Sequence, residues 1–99
     1  MKMAFIVQNR FFAPRLMQLL TEAGIDYYTR WDEVKGKGHG TEAHLGRGSS
    51  PSTNSVFMIA FPEESRLESL IGKITEANVE INRDDDKIRL FQLPLEHIV

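Results

Sequence analysis

The sequence predicts a single α+β domain, four strands and two helices in the order β-α-β-β-α-β. Three observations predict it. Two short runs are apolar on both strand parities, two longer stretches repeat apolar residues at helical spacing, and one long interval holds most of the glycine. A chain of 99 residues has room for one such core and little for a second.

Met1 to Gln8 mixes apolar residues on both parities, as a buried strand does. Asn9 to Pro14 turns into a helix, with Pro14 suited to the first helical turn. Phe12, Leu16, Leu19, Leu20 and Ala23 then recur at helical spacing, and Gly24 ends the helix. Ile25 to Lys35, with Tyr27, Tyr28, Thr29 and Trp31, has the composition of a second strand. Ser55 to Phe61 (SVFMIAF) is a third strand, stopped by Pro62. Glu63 and Glu64 suit the first turn of a second helix, whose apolar face is Leu67, Leu70, Ile71, Ile74 and Ala77. Asn78 is a candidate terminator, and Val79 to Asn82 leaves room for a further strand segment. Asp84 to Asp86 reads as a turn and Lys87 to Leu93 as the last strand, reaching Pro94. The order is that of a ferredoxin-like sandwich with a long loop between strands 2 and 3, both helices covering one sheet face.

That arrangement leaves the other face bare. Met3, Phe5 and Val7 oppose Ala4 and Ile6; Phe57, Ile59 and Phe61 oppose Val56, Met58 and Ala60. An apolar face of that size is uncommon on soluble monomers, which points to self-association over the open sheet. The competing expectation is that Leu95 to Val99 folds back over it.

Composition narrows the function. Hydrophobic residues make up 41% and charged residues 26%, ordinary for a globular chain. The net charge of −2 supplies no general basic field for nucleic acid or an anionic membrane. Cysteine is absent, which removes disulfides and thiolate metal sites. No apolar run approaches the roughly 20 residues that span a bilayer, and MKMAFIV lacks the pattern of a signal sequence. A cytoplasmic protein without direct membrane insertion is expected.

The stretch VKGKGHGTEAHLGRGSSPSTNS, residues 34 to 55, holds five of the seven glycines. A hairpin needs about 2–5 residues there, so the length serves something other than the fold. Its glycines let the backbone approach a ligand, and successive N–H groups can cradle an anion. Lys35, Lys37 and Arg47 add positive charge, so a phosphate or carboxylate ligand fits. His39, Glu42 and His44 offer a divalent metal an imidazole and carboxylate set, although H-x-x-E-x-H matches no established zinc spacing. An enzyme is not expected: Ser49 or Ser50 with His39 or His44 lacks the locked geometry that nucleophilic catalysis needs. A hydrolase on the same fold is the remaining enzymatic alternative, because Gln8, Asn9 and Arg10 follow the first strand where acylphosphatases carry their turn. The glycine pattern of that turn is missing. Asp84, Asp85 and Asp86 read as a charged turn before a cation site.

DEVKGKG followed by GTEAHLGRG resembles the loop signature of PII signal-transduction proteins, the nitrogen regulatory family. The matching positions are Glu33, Val34, Lys35, Gly36 and Gly38, then Thr41, Glu42, Leu45, Arg47 and Gly48. The EAGI that closes the first helix and DDKIRLFQLPLEHIV at the other end agree in order and spacing. The resemblance implies one PII-like domain over residues 1–99, a homotrimer with its sheets facing inward, and a T-loop at 35–54. It further implies a small-molecule effector at subunit clefts and a regulated transporter or enzyme, with Thr41, Glu42, Leu45 and Gly48 in the partner-binding loop. No covalent cofactor is implied. The implied ligand is an adenine nucleotide, ATP, ADP or AMP, with bicarbonate as a family-level addition. It would lie against Lys35, Gly36, Lys37, Gly38 and Lys87, with Arg89 and Arg47 as additions. The alternative is a metal-responsive member using His39, Glu42 and His44, linked to metal transport.

The chain departs from the family pattern in three places. Leu45-Gly46-Arg47 stands where many members carry a modifiable tyrosine, leaving Ser49 and Ser50 as the nearby hydroxyls. The glycine-rich B-loop is reduced to Asn82-Arg83-Asp84-Asp85-Asp86-Lys87. The sequence stops at Val99, ahead of the Arg-x-Arg loop of standard members. Three aspartates beside Lys87 repel a triphosphate, so a ligand with fewer phosphates than ATP is expected.

Overall fold

The computed structural model describes residues 1–38 and 53–99. Its elements are β1 (Lys2–Asn9), α1 (Ala13–Glu22), β2 (Thr29–Val34), β3 (Asn54–Phe61), α2 (Ser65–Glu80) and β4 (Arg89–Pro94). Short 3-10 turns at Arg10–Phe12 and Asp84–Asp86 precede α1 and β4. The sheet order is β2-β3-β1-β4 with every neighbouring pair antiparallel, the ferredoxin-like order.

Alternation along the strands sorts the sheet into two faces. Ala4, Ile6 and Gln8 of β1 and Ser55, Phe57, Ile59 and Phe61 of β3 are buried beneath the helices. Leu16, Leu19 and Leu20 of α1 and Leu67, Leu70, Ile74 and Ala77 of α2 close that core. Each large aliphatic or aromatic side chain removed from water there contributes about 1.5–3 kcal/mol. α1 ends where Gly24 takes φ 74°. The N–H groups of Gly24 and Ile25 bond the carbonyls of Thr21 and Leu20 at 3.0 and 2.9 Å, a left-handed cap that suits glycine.

On the other face the register aligns three rows: Trp31, Val56, Val7 and Arg89; Thr29, Met58, Phe5 and Phe91; Ala60, Met3 and Leu93. Nothing in the described chain covers them. Trp31 is 45% exposed, Phe91 56% and Leu93 44%. Leu95 donates to the Met1 carbonyl at 3.1 Å, but Ile98 and Val99 stand in solvent. The tail therefore does not fold back over the sheet.

Several boundaries differ from those expected. β2 starts at Thr29, where its ladder with β3 begins, not at Ile25. Tyr27 and Tyr28 instead pack their rings against Phe61 and Phe57, centroids 6.3 and 5.4 Å apart. Lys87 precedes β4 and does not belong to it. Phe12 lies in the 3-10 turn, packed edge-on against Phe11, ahead of α1. Glu63 and Glu64 precede α2, whose first-turn acid is Glu68. Asn78 does not terminate α2, and Val79 and Glu80 are its last residues, so no strand forms there. The Asn78 side chain instead clamps the returning backbone. Its Nδ2 donates to the Ile88 carbonyl at 2.9 Å and its Oδ1 accepts from the Ile88 N–H at 2.8 Å.

Candidate functional site: one end of the sheet and its two corners

Val34 and Asn9 both pair with Asn54, and Arg89 pairs with Val7. The end of β2, the start of β3, the end of β1 and the start of β4 therefore share one end of the sheet. The residues expected to meet a ligand fall at its two corners.

The first corner is the root of the long loop. Trp31 pairs with Val56, but Val34 pairs with Asn54, so Asp32 and Glu33 together oppose Ser55. This is a β-bulge, one residue more than the ladder needs. Glu33 takes φ 61°, the only non-glycine residue at positive φ among those described. That conformation costs a residue with a Cβ about 1–2 kcal/mol. Arg10 meets it there, Nη1 to Glu33 Oε1 at 2.6 Å, with both side chains exposed. An exposed ion pair contributes about 0.2–1 kcal/mol, no more than the strain costs, so the pair alone does not outweigh it. Arg10 also donates its backbone N–H to the Thr53 carbonyl at 2.8 Å. One residue thus ties both banks of the loop.

Beside it, the Ser55 hydroxyl donates to Asp32 Oδ1 at 2.8 Å and Arg30 Nε donates to the same oxygen at 2.9 Å. These bonds, Ser55 first, hold the Asp32 carboxyl below the usual carboxylate range. Arg30 also lies over the Phe57 ring, 5.2 Å from its centroid. Lys35 and Lys37 are exposed, and Lys37 Nζ donates to the Gly38 carbonyl at 3.3 Å. A Cβ on Gly36 would stand 2.7 Å from Asn54 Nδ2, so glycine is required for the chain to pass that close without moving Asn54.

The second corner is the Asp84–Asp86 turn. Gln8 Nε2 donates to the Asp86 carbonyl at 3.1 Å and Asn9 Nδ2 to Asp86 Oδ1 at 3.3 Å. Arg83 bridges Asp85 at 3.1 Å and Asp86 at 3.9 Å. Lys87 Nζ lies 3.2 Å from Asp84 Oδ1, so the chain supplies this lysine with an anion of its own. The Asn78–Ile88 bonds fix the backbone between Lys87 and Arg89. Arg89 is exposed on the row it shares with Val7.

Lys35 to Gly38 and Lys87 do not meet within one chain. β3 and β1 lie between their edges, and three strand spacings amount to about 14 Å. Arg47, Thr41, Glu42, Leu45, Gly48, His39 and His44 lie outside the described residues, as do Ser49 and Ser50. Among the described residues no three His, Asp or Glu side chains gather as a metal site, and no helix is long and apolar enough to cross a membrane. A cleft of about 600 Å³ lined by Tyr27, Ala60, Pro62, Glu63, Ser65 and Arg66 lies at the opposite end of the sheet, and none of the expected site residues lines it. Sequence reasoning missed Arg10, Asp32, Ser55 and Asn78 as structural partners here; the only signal was the polar run Gln8-Asn9-Arg10 that closes an apolar strand.

No protein-family model and no curated protein matches the sequence. Solved structures do match. The CPII protein of Thiomonas intermedia K12 bound to ADP and bicarbonate superposes with a TM-score of 0.67, at 18% identity over 93% of this chain and 84% of that one. The chain has a PII-like fold. CPII bound to ADP, AMP and bicarbonate, a nitrogen regulatory PII-like protein, gives 0.68 at 17% identity over 93% and 84%. Its apo form gives 0.62 at 16% identity over 93% and 87%.

Proposed function

We propose that this chain is a divergent PII-like signalling protein. It acts as a homotrimer, binds an adenine nucleotide with bicarbonate at clefts between subunits, and regulates a transporter or enzyme through residues 35–54. The observation that carries this reading is the separation of Lys35–Gly38 from Lys87, at one end of the sheet but on opposite edges. A second copy set beside the first would bring the β2 edge of one chain near the β4 edge of the next, and the open apolar face gives the copies a reason to associate. The likeness to CPII bound to ADP and bicarbonate supports the choice of ligand. Pairing of Lys87 with Asp84 favours ADP or AMP over ATP, because each added phosphate must displace or neighbour carboxylates.

A thermal-shift panel on metal-stripped protein tests it: ATP, ADP, AMP, zinc, copper and nickel, each with and without bicarbonate. A ligand at 100 times its Kd stabilises the fold by about 2.7 kcal/mol, several degrees for this size. ADP or AMP should raise Tm, Lys87→Ala should abolish the shift, and Asp84→Asn should enlarge it. A shift with a transition metal alone moves the function to His39, Glu42 and His44. A shift with nucleotide that ignores Lys87→Ala removes Lys87 from the site.

A further inference from the structure

We propose that Arg10 is a further anion-binding residue of this site, held in reserve by Glu33 and handed to the ligand phosphate on binding. The proposal rests on the nucleotide reading above and adds a residue that neither the loop motif nor the comparisons assign.

Three observations converge on Arg10. It stands between both banks of the loop, bonded through its backbone to Thr53 and through its side chain to Glu33, directly before Val34 and Lys35. Its guanidinium offers five N–H donors; it bonds the Glu33 carboxylate through Nη1 and lies within electrostatic reach of a second carboxylate, Asp32. The partner that occupies it is held in place at a backbone cost. Glycine would take φ 61° without strain; glutamate supplies what glycine lacks, a carboxylate 2.6 Å from the guanidinium. The exposed pair contributes no more than the strain at Glu33 costs, so little stability is lost when the two part. A modest preference of an anion for Arg10 is then enough to displace Glu33.

Release has a consequence for the loop root. Glu33 is one of the two bulge residues opposite Ser55, and Arg10 is its described tether. Transfer of Arg10 to a phosphate frees Glu33 to leave the left-handed region. The position of Lys35 and Gly36 beyond it shifts with that change. Occupancy of the anion site and geometry of the loop root become one equilibrium.

Opposite signs test this. ADP is titrated calorimetrically into wild-type protein and into Arg10→Ala, Arg10→Lys and Glu33→Gln, each first shown to be folded by circular dichroism. As an anion ligand, Arg10→Ala should weaken ADP binding about 5- to 20-fold, and Arg10→Lys less. Glu33→Gln removes the competitor and should tighten binding about 2- to 5-fold. If Arg10 is only a structural tie, both substitutions break the same pair and shift affinity in the same direction, which overturns the proposal. Unchanged affinity in Glu33→Gln overturns it as well. Should Arg10→Ala fail to fold, Arg10→Lys and Glu33→Gln must still differ in sign. Wild-type protein that binds no ADP sinks the nucleotide reading itself, and this proposal with it.

Discussion

The two faces of the sheet are built from the same strands and nearly the same residue types, yet they end in opposite circumstances. Ile6, Phe57, Ile59 and Phe61 disappear under α1 and α2. Phe5 and Met58, one residue away along the same strands, and Trp31 and Phe91 on the flanking strands keep a face open to solvent. The difference lies in the helices, whose apolar stripes are wide enough for one face only. Apolar alternation therefore states how much surface a strand needs covered, and leaves open whether the same chain supplies the cover.

The sharpest way to break that comparison is one substitution on each face. Phe57→Ala should cost about 3–5 kcal/mol, since the cavity is enclosed and Tyr28 and Arg30 lose the ring they pack on. Phe91→Ser should barely change the stability of a subunit, yet should shift the sedimentation profile of the proposed trimer toward monomer. A wild-type protein that sediments as a monomer would refute assembly over the open face. Next in size is Asn78→Ala, at about 1–3 kcal/mol in chemical denaturation. It leaves the Ile88 N–H and C=O without their partner, and it should loosen Lys87 and Arg89 as well.

The smallest effect is in acid. The folded-state pKa of Asp32 is depressed, so its contribution is present above the ordinary carboxylate pKa and lost as pH falls through the folded value. Asp32→Asn should flatten the loss of Tm below about pH 4. The change should be slight because the Asp32 side chain is nearly half exposed. A parallel, undiminished acid slope in the variant would show that Asp32 is not the group responsible.

Element order and the buried face were legible because they depend on local spacing: Leu16, Leu19 and Leu20, or Phe57, Ile59 and Phe61, state their period within a few residues. Tyr27 and Tyr28 mislead because ring-rich composition favours strands, whereas the ladder with β3 begins only at Thr29. Val79 is apolar and suits a strand, yet it stands exposed in the last turn of α2. Asn78 looks like a helix stop, and only the return of the chain at Ile88 gives its side chain two partners. The proposed site draws on both sources. Lys35, Gly36 and Lys87 follow from the motif, but their placement on opposite edges needs the strand order. Arg10 with Glu33 could not be found locally, since the pair spans 23 positions and depends on a bulge with no residue signature.

That bulge also changes how residues are counted. The ladder pairs Trp31 with Val56 and Val34 with Asn54, so β2 could lose one residue between them and keep every other described partner. Deletion elsewhere in β2 would turn the residues on one side of it over to the opposite face of the sheet. Asp32–Glu33 is thus the one step of this strand where length is free to vary, and the extra residue that occupies it is held by Arg10.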